Sequence, residues 1–233
     1  MTDSVPTTPT RASLILLSAE FVVLFLAVPL VIALRLPKQL LIPAIAAFGL
    51  FALALLLTDS TFNRRELWNA GKLKAELSRM LLFAAAAMIG ITALVLILDP
   101  RLFGSLVRER PALWITIMLG YPLASVYPQE VIYRAFIFHR YRVLFRHPGV
   151  LIAASAIAFG YAHIVLWNWL AIGATLIGGL LFAWTFHRTR SVAATWLEHA
   201  LYGCFMFTVG LGRFFYGGAA ESAVSGISSV VPH

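Results

Sequence analysis

Apolar residues run through this chain in long blocks broken by short polar stretches. Seven blocks can be drawn, at roughly 12–34, 41–57, 80–98, 112–145, 150–167, 170–186 and 191–215. About 20 apolar residues suffice to cross a bilayer as a helix, so the pattern predicts an all-α, polytopic membrane bundle of about seven transmembrane segments. The fourth block is too long for one plain crossing. Pro122 and Pro128 are expected to kink it, and its basic end from His139 should emerge among headgroups. The stretch 59–79, "DSTFNRRELWNAGKLKAELSR", alternates in charge and is expected to hold a short surface helix. Residues 1–11 read as a polar, disordered tail and 217–233 as a flexible one. One membrane domain over 12–216 is the economical division.

Composition agrees: 61% of the residues are hydrophobic and 12% charged, against about half and a quarter in a soluble domain. The net charge of +8 is read as Lys and Arg in cytoplasmic loops; no nucleic-acid motif is present. Cys204 is the single cysteine, so no intrachain disulfide forms. The apolar run 12–34 exceeds a signal-peptide core and only Arg11 precedes it, which reads as a retained span. Eleven basic residues fall at one end of the segments, chiefly in 64–79, 140–146 and 188–190, and six at the other. The positive-inside rule then places the N-terminus in the cytoplasm and the C-terminus outside, with the plasma membrane as the expected location and lipid as the surrounding partner. Oligomeric state is not legible.

Three polar spots interrupt the oil: Gln129, Glu130 and Arg134 in "QEVIYR"; His163 in "FGYAH"; Glu198 and His199 in "WLEHALYG". Ionisable groups inside a membrane point to function by default. Glu130 and His163 lie at similar distances from the turn "RHPG", roughly 20–25 Å at the helical rise. His199 lies roughly 13 Å from Arg190 on the same rise, so kinks or tilts must bring it level. The bland readings are an i,i+4 structural pair for Glu130 and Arg134, interhelical hydrogen bonds for the histidines, and packing for Phe159 and Trp196. Gly203 can serve close helix approach, and Glu20 has no evident partner.

In order and spacing, these spots resemble the motifs of the CPBP family, the CAAX proteases and bacteriocin-processing intramembrane proteases: EExxxR, FxxxH, then HxxxN. The resemblance spans residues 112–216. It implies a helix bundle with a hydrophilic cavity that cleaves a peptide bond of a membrane-proximal peptide or protein substrate. Two positions depart from the pattern. The first glutamate, which the family uses to activate water, is Gln129, and an amide takes no proton. The final polar residue is Gly203. Glu130, or else Glu198, is then the expected general base, with His163 and His199 as oxyanion donors. Alternatively His163, His199 and Glu130 hold a divalent metal such as zinc. There is no HExxH, and a metal-free mechanism stands equally open. Two other readings remain: a non-catalytic relative that binds a membrane-anchored peptide, and a proton-coupled transporter.

Overall fold

The computed structural model describes residues 10–216; apart from Thr10 and Arg11, the expected tails lie outside the described residues. No strand occurs among the described residues. Seven helical rods correspond to the seven apolar blocks: α1 (Arg11–Arg35), α2 (Leu41–Thr58), α3 (Ala70–Leu98), α4 (111–140), α5 (Pro148–Ala162), α6 (Trp169–Thr189) and α7 (Val192–Thr208). Among the described residues, five helices are long and apolar enough to cross a membrane by length and composition: those at Arg11–Arg35, Lys38–Thr58, Arg64–Leu98, Pro148–Leu166 and Trp169–Thr189. The other two rods, α4 and α7, carry the polar motifs that interrupt their hydropathy.

The bundle is inside-out relative to a soluble protein. Large apolar side chains face outward, Ile89 at 71% and Ile97 at 79% exposure, while Glu130, Arg134 and Glu198 are fully buried. Lipid tails solvate the first group as well as protein would. The second group needs partners, because hydrocarbon offers none.

The rod α4 is the centre of the bundle. Every residue from Gln129 to His139 is buried. Its helix is widened twice, over Pro122–Val126 and Val131–Phe136. Proline lacks the N–H of the regular ladder, and wide turns of this kind are common at functional sites. The Pro122 carbonyl accepts twice: from the Tyr127 N–H along the widened turn, and from Trp196 Nε1 of α7 at 2.7 Å. Gly49 of α2 lets that helix close onto Pro128, since a Cβ at 49 would stand 2.5 Å from the proline Cβ. Small residues likewise join α5 and α6, with Gly179 over the Ala156 backbone and Gly160 over Leu176.

Two expectations change. The 59–79 stretch holds only a short separate helical turn, Arg64–Leu67; from Ala70 it is the first part of α3, a 29-residue helix. Its two glutamates are ion-paired, and the helix continues into the apolar run without a break. Glu76 binds Arg79 and Arg188, and Glu66 binds Arg190. Glu20 also has partners, accepting from Arg140 at 2.7 Å and Tyr141 at 2.8 Å. These pairs, with Asp59–His139, gather the loop after α2 and the ends of α4 and α6 at one end of the bundle, where the basic residues had been grouped.

Candidate active site

Glu130 and Arg134 stand one turn apart on α4. The guanidinium Nε lies 3.3 Å from Glu130 Oε2, near enough for an ion pair but misaligned for a hydrogen bond. Arg134 Nη1 donates to Ser155 Oγ of α5 at 2.6 Å, and Ser155 donates onward to the Tyr133 carbonyl at 2.7 Å. The guanidinium also lies 5.0 Å from the centre of the Phe159 ring. The other carboxylate oxygen, Oε1, accepts from His199 Nδ1 of α7 at 2.8 Å.

His199 is held on every side. Its ring stacks on Phe182 at 4.7 Å and meets Phe159 edge-on at 5.4 Å. Because a carboxylate accepts, Nδ1 carries the hydrogen. Nε2 lies 3.2 Å from the Tyr121 hydroxyl. The depth mismatch expected for His199 is resolved by the α6–α7 turn, which is recessed into the protein. Thr189, Ser191 and Val192 are at most 1% exposed. Arg190 makes the turn in the left-handed region, at φ 46°, its guanidinium paired with Glu66.

His163 sits one turn beyond Phe159, where α5 tightens into the short helix His163–Leu166. Its Nδ1 lies 2.8 Å from the Phe159 carbonyl. A carbonyl only accepts, so Nδ1 is the protonated nitrogen and Nε2 offers a lone pair. Phe159 thus packs against both imidazoles, at 4.9 Å from the His163 ring. The structure gathers Glu130, Arg134 and His199 into one contact chain and places His163 across the Phe159 ring from it. Glu198 is buried behind this group with neither carboxylate oxygen hydrogen-bonded.

A cavity of about 510 Å³ opens beside the cluster, lined mostly by apolar side chains of α1, α2, α4 and α5, such as Leu24, Ile32, Ile45 and Phe48. Its polar lining includes Tyr121, Ser125, Gln129, Tyr133 and His163. Glu130, Arg134, Glu198 and His199 are not part of the wall. Gln129 donates both amide hydrogens to Ser125, one to its carbonyl at 3.0 Å and one to its hydroxyl at 2.8 Å. Its Oε1 is left to accept. Sequence reasoning missed Tyr121, Ser125, Tyr133 and Ser155. Each is a neutral residue in an apolar helix and carries no charge signal; Ser155, a lone hydroxyl two turns before His163, is the one that position could have flagged.

The zinc arrangement expected of His163, His199 and Glu130 is not what these residues form. Among the described residues no three of His, Cys, Asp and Glu gather so as to hold a metal ion. Both His199 nitrogens and His163 Nδ1 are already engaged. This donor set does not fit a two-histidine, one-carboxylate site.

Residues 110–205 match the family model described as Type II CAAX prenyl endopeptidase Rce1-like. The matched span holds all three motifs, and the similarity agrees with the resemblance read from "QEVIYR", "FGYAH" and "HALYG". No curated protein and no solved structure matches the chain.

Proposed function

We propose that this protein is an intramembrane endopeptidase of the CAAX-processing type, hydrolysing a peptide bond of a membrane-anchored substrate by a metal-free mechanism. One observation carries the reading: the 2.8 Å bond between Glu130 and His199 Nδ1, next to a cavity walled by His163 and Gln129. A carboxylate that fixes an imidazole by Nδ1 leaves Nε2 as the proton acceptor and steadies the imidazolium that forms. Arg134 holds the carboxylate from the other side.

At the wall, the free His163 Nε2 and Gln129 Oε1 are both acceptors. They suit a water molecule, held by its hydrogens, and the N–H of the scissile amide. Gln129 thus keeps the positioning half of an acid's role and gives up the proton-accepting half. In this reading Glu130 acts on the water through His199. The apolar part of the cavity is within the range of small-ligand pockets and suits a lipidated or apolar residue beside the scissile bond. A buried apolar chain gives roughly 0.8 kcal/mol per methylene, which would concentrate a prenylated peptide there.

The test is reconstitution of the full chain in liposomes with CAAX-type peptides, farnesylated and plain, and mass spectrometry of the released fragments. Wild type should cut, the farnesylated peptide preferentially. His199→Ala and His163→Ala should each lose about 100-fold or more. Chelators should leave the rate unchanged, and the purified protein should carry less than one metal per chain. Stoichiometric metal with loss of activity on chelation would overturn the metal-free mechanism. Binding of the peptide without any cleavage would favour a second reading, a non-catalytic relative, for which the amide at Gln129 is the specific observation.

A further inference from the structure

The proton-accepting pair has no direct access to substrate. Glu130 is fully buried and His199 is 6% exposed, and neither belongs to the cavity wall. One residue bridges that gap. Tyr121 lines the cavity, and its hydroxyl lies 3.2 Å from His199 Nε2. We propose that Tyr121 is a catalytic residue, the proton relay between the cavity and the buried His199–Glu130 pair. The inference rests on the endopeptidase reading and adds a residue to it.

Three features place this hydroxyl. Tyr121 ends the helix Pro111–Tyr121, and the widened turn Pro122–Val126 begins at the next residue. The ring is braced edge-on by Phe207 at 5.4 Å and by His199 at 6.3 Å. The space it fills is made by Gly203, one turn after His199 on α7: a Cβ there would collide with the Tyr121 hydroxyl and ring. The absent side chain at 203 and the tyrosine at 121 are therefore two halves of one fit.

The relay starts from the neutral His199 ring. Glu130 accepts from Nδ1–H, Nε2 then accepts from the phenol O–H, and the lone pairs of Oη remain for the cavity. A water bound there gives its proton to Oη while the phenol proton passes to His199 Nε2. The water oxygen bonds to the scissile carbonyl carbon, whose oxygen takes the negative charge. His199 is then an imidazolium paired with Glu130. On collapse the C–N bond breaks, Nε2–H returns a proton to Oη, and the phenol gives one to the leaving nitrogen. One water is consumed, and tyrosine, histidine and glutamate end as they began. Two coupled short transfers replace one long transfer through a packed wall.

Peptide release is measured for wild type, Tyr121→Phe, His199→Ala and the double variant, with thermal unfolding as a check on folding. Tyr121→Phe keeps the ring and loses the relay, so kcat should fall about 100-fold or more with KM within about threefold. Groups acting as one chain are non-additive, so the double variant should be no slower than His199→Ala alone. A proton inventory in H2O/D2O mixtures should bow for wild type, as two protons move in one step. Gly203→Ala, which leaves Tyr121 in place chemically but pushes it aside, should reproduce the Tyr121→Phe loss. Tyr121→Phe at the wild-type rate beside an inactive His199→Ala overturns the relay and spares the endopeptidase reading. Fully additive losses also overturn the relay. A wild type that cuts no peptide overturns both.

Discussion

Glu130 and His199 are 69 residues apart in sequence and share a 2.8 Å hydrogen bond at the centre of the bundle. The same carboxylate faces Arg134 at 3.3 Å, with both side chains fully buried. Removing one member of such a pair leaves an uncompensated buried charge, at a cost of about 3–5 kcal/mol. Arg134→Ala should therefore destabilise the protein by about that amount, read as a lowered midpoint of unfolding in detergent. Glu130→Gln combined with Arg134→Met should recover much of the stability without recovering cleavage. A stable, fully active double variant would remove Glu130 from the chemistry.

Gln129→Glu tests the amide in the wall. Gln129 donates two hydrogen bonds to Ser125; a carboxylate donates none and would face the Ser125 carbonyl oxygen directly. We expect the variant to cut more slowly at neutral pH. As pH falls the new carboxyl becomes protonated and can donate one of those bonds, so activity should recover toward acid. Peptide release from pH 5 to 8 checks this, and a variant faster than wild type at neutral pH would show that the position wants a base.

Asp59, which follows α2, accepts from His139 at 2.8 Å and from the Thr61 hydroxyl and N–H, each at 2.8 Å. The His139 hydrogen bond first, and then those from Thr61, hold its carboxyl well below the usual aspartate range. A depressed folded-state pKa adds stability above the unfolded value, about 3.9. That stability is lost as pH falls through the folded value. Asp59→Asn should lower stability at pH 7 and flatten its dependence on pH below about 4. An unchanged acid profile in unfolding experiments would show that the pair does not persist in the membrane.

The bundle end that carries Glu66–Arg190, Glu76–Arg188 and Asp59–His139 is expected to face the cytoplasm. Single cysteines in 59–79 and at Arg188, in a Cys204→Ala background, should label only from that side; one at Ser225 should label from outside. Labelling of all three from one face would contradict seven crossings.

The sequence by itself determined the all-helical membrane bundle, because uninterrupted apolar length admits few other structures in a bilayer. It also marked which helices carry buried polar groups, because charge among apolar residues is conspicuous. Glu130, Arg134, His163 and His199 were all legible on that ground. Tertiary structure decided how they meet. Linear depth made Glu130 and His163 face each other, whereas the recessed α6–α7 turn brings His199 onto Glu130 and leaves Phe159 between the two imidazoles. It also decided which groups reach the cavity. Glu130 and Glu198, the most conspicuous acids in the sequence, lie behind the wall, while Gln129 and the unremarked Tyr121 form part of it. A pattern along one helix gives rise and face, but not the tilt, recess and neighbouring side chains that fix access. Tyr121 is positioned by the absence of a side chain at Gly203, 82 residues later. A missing side chain has no signature until the opposing helix is in place.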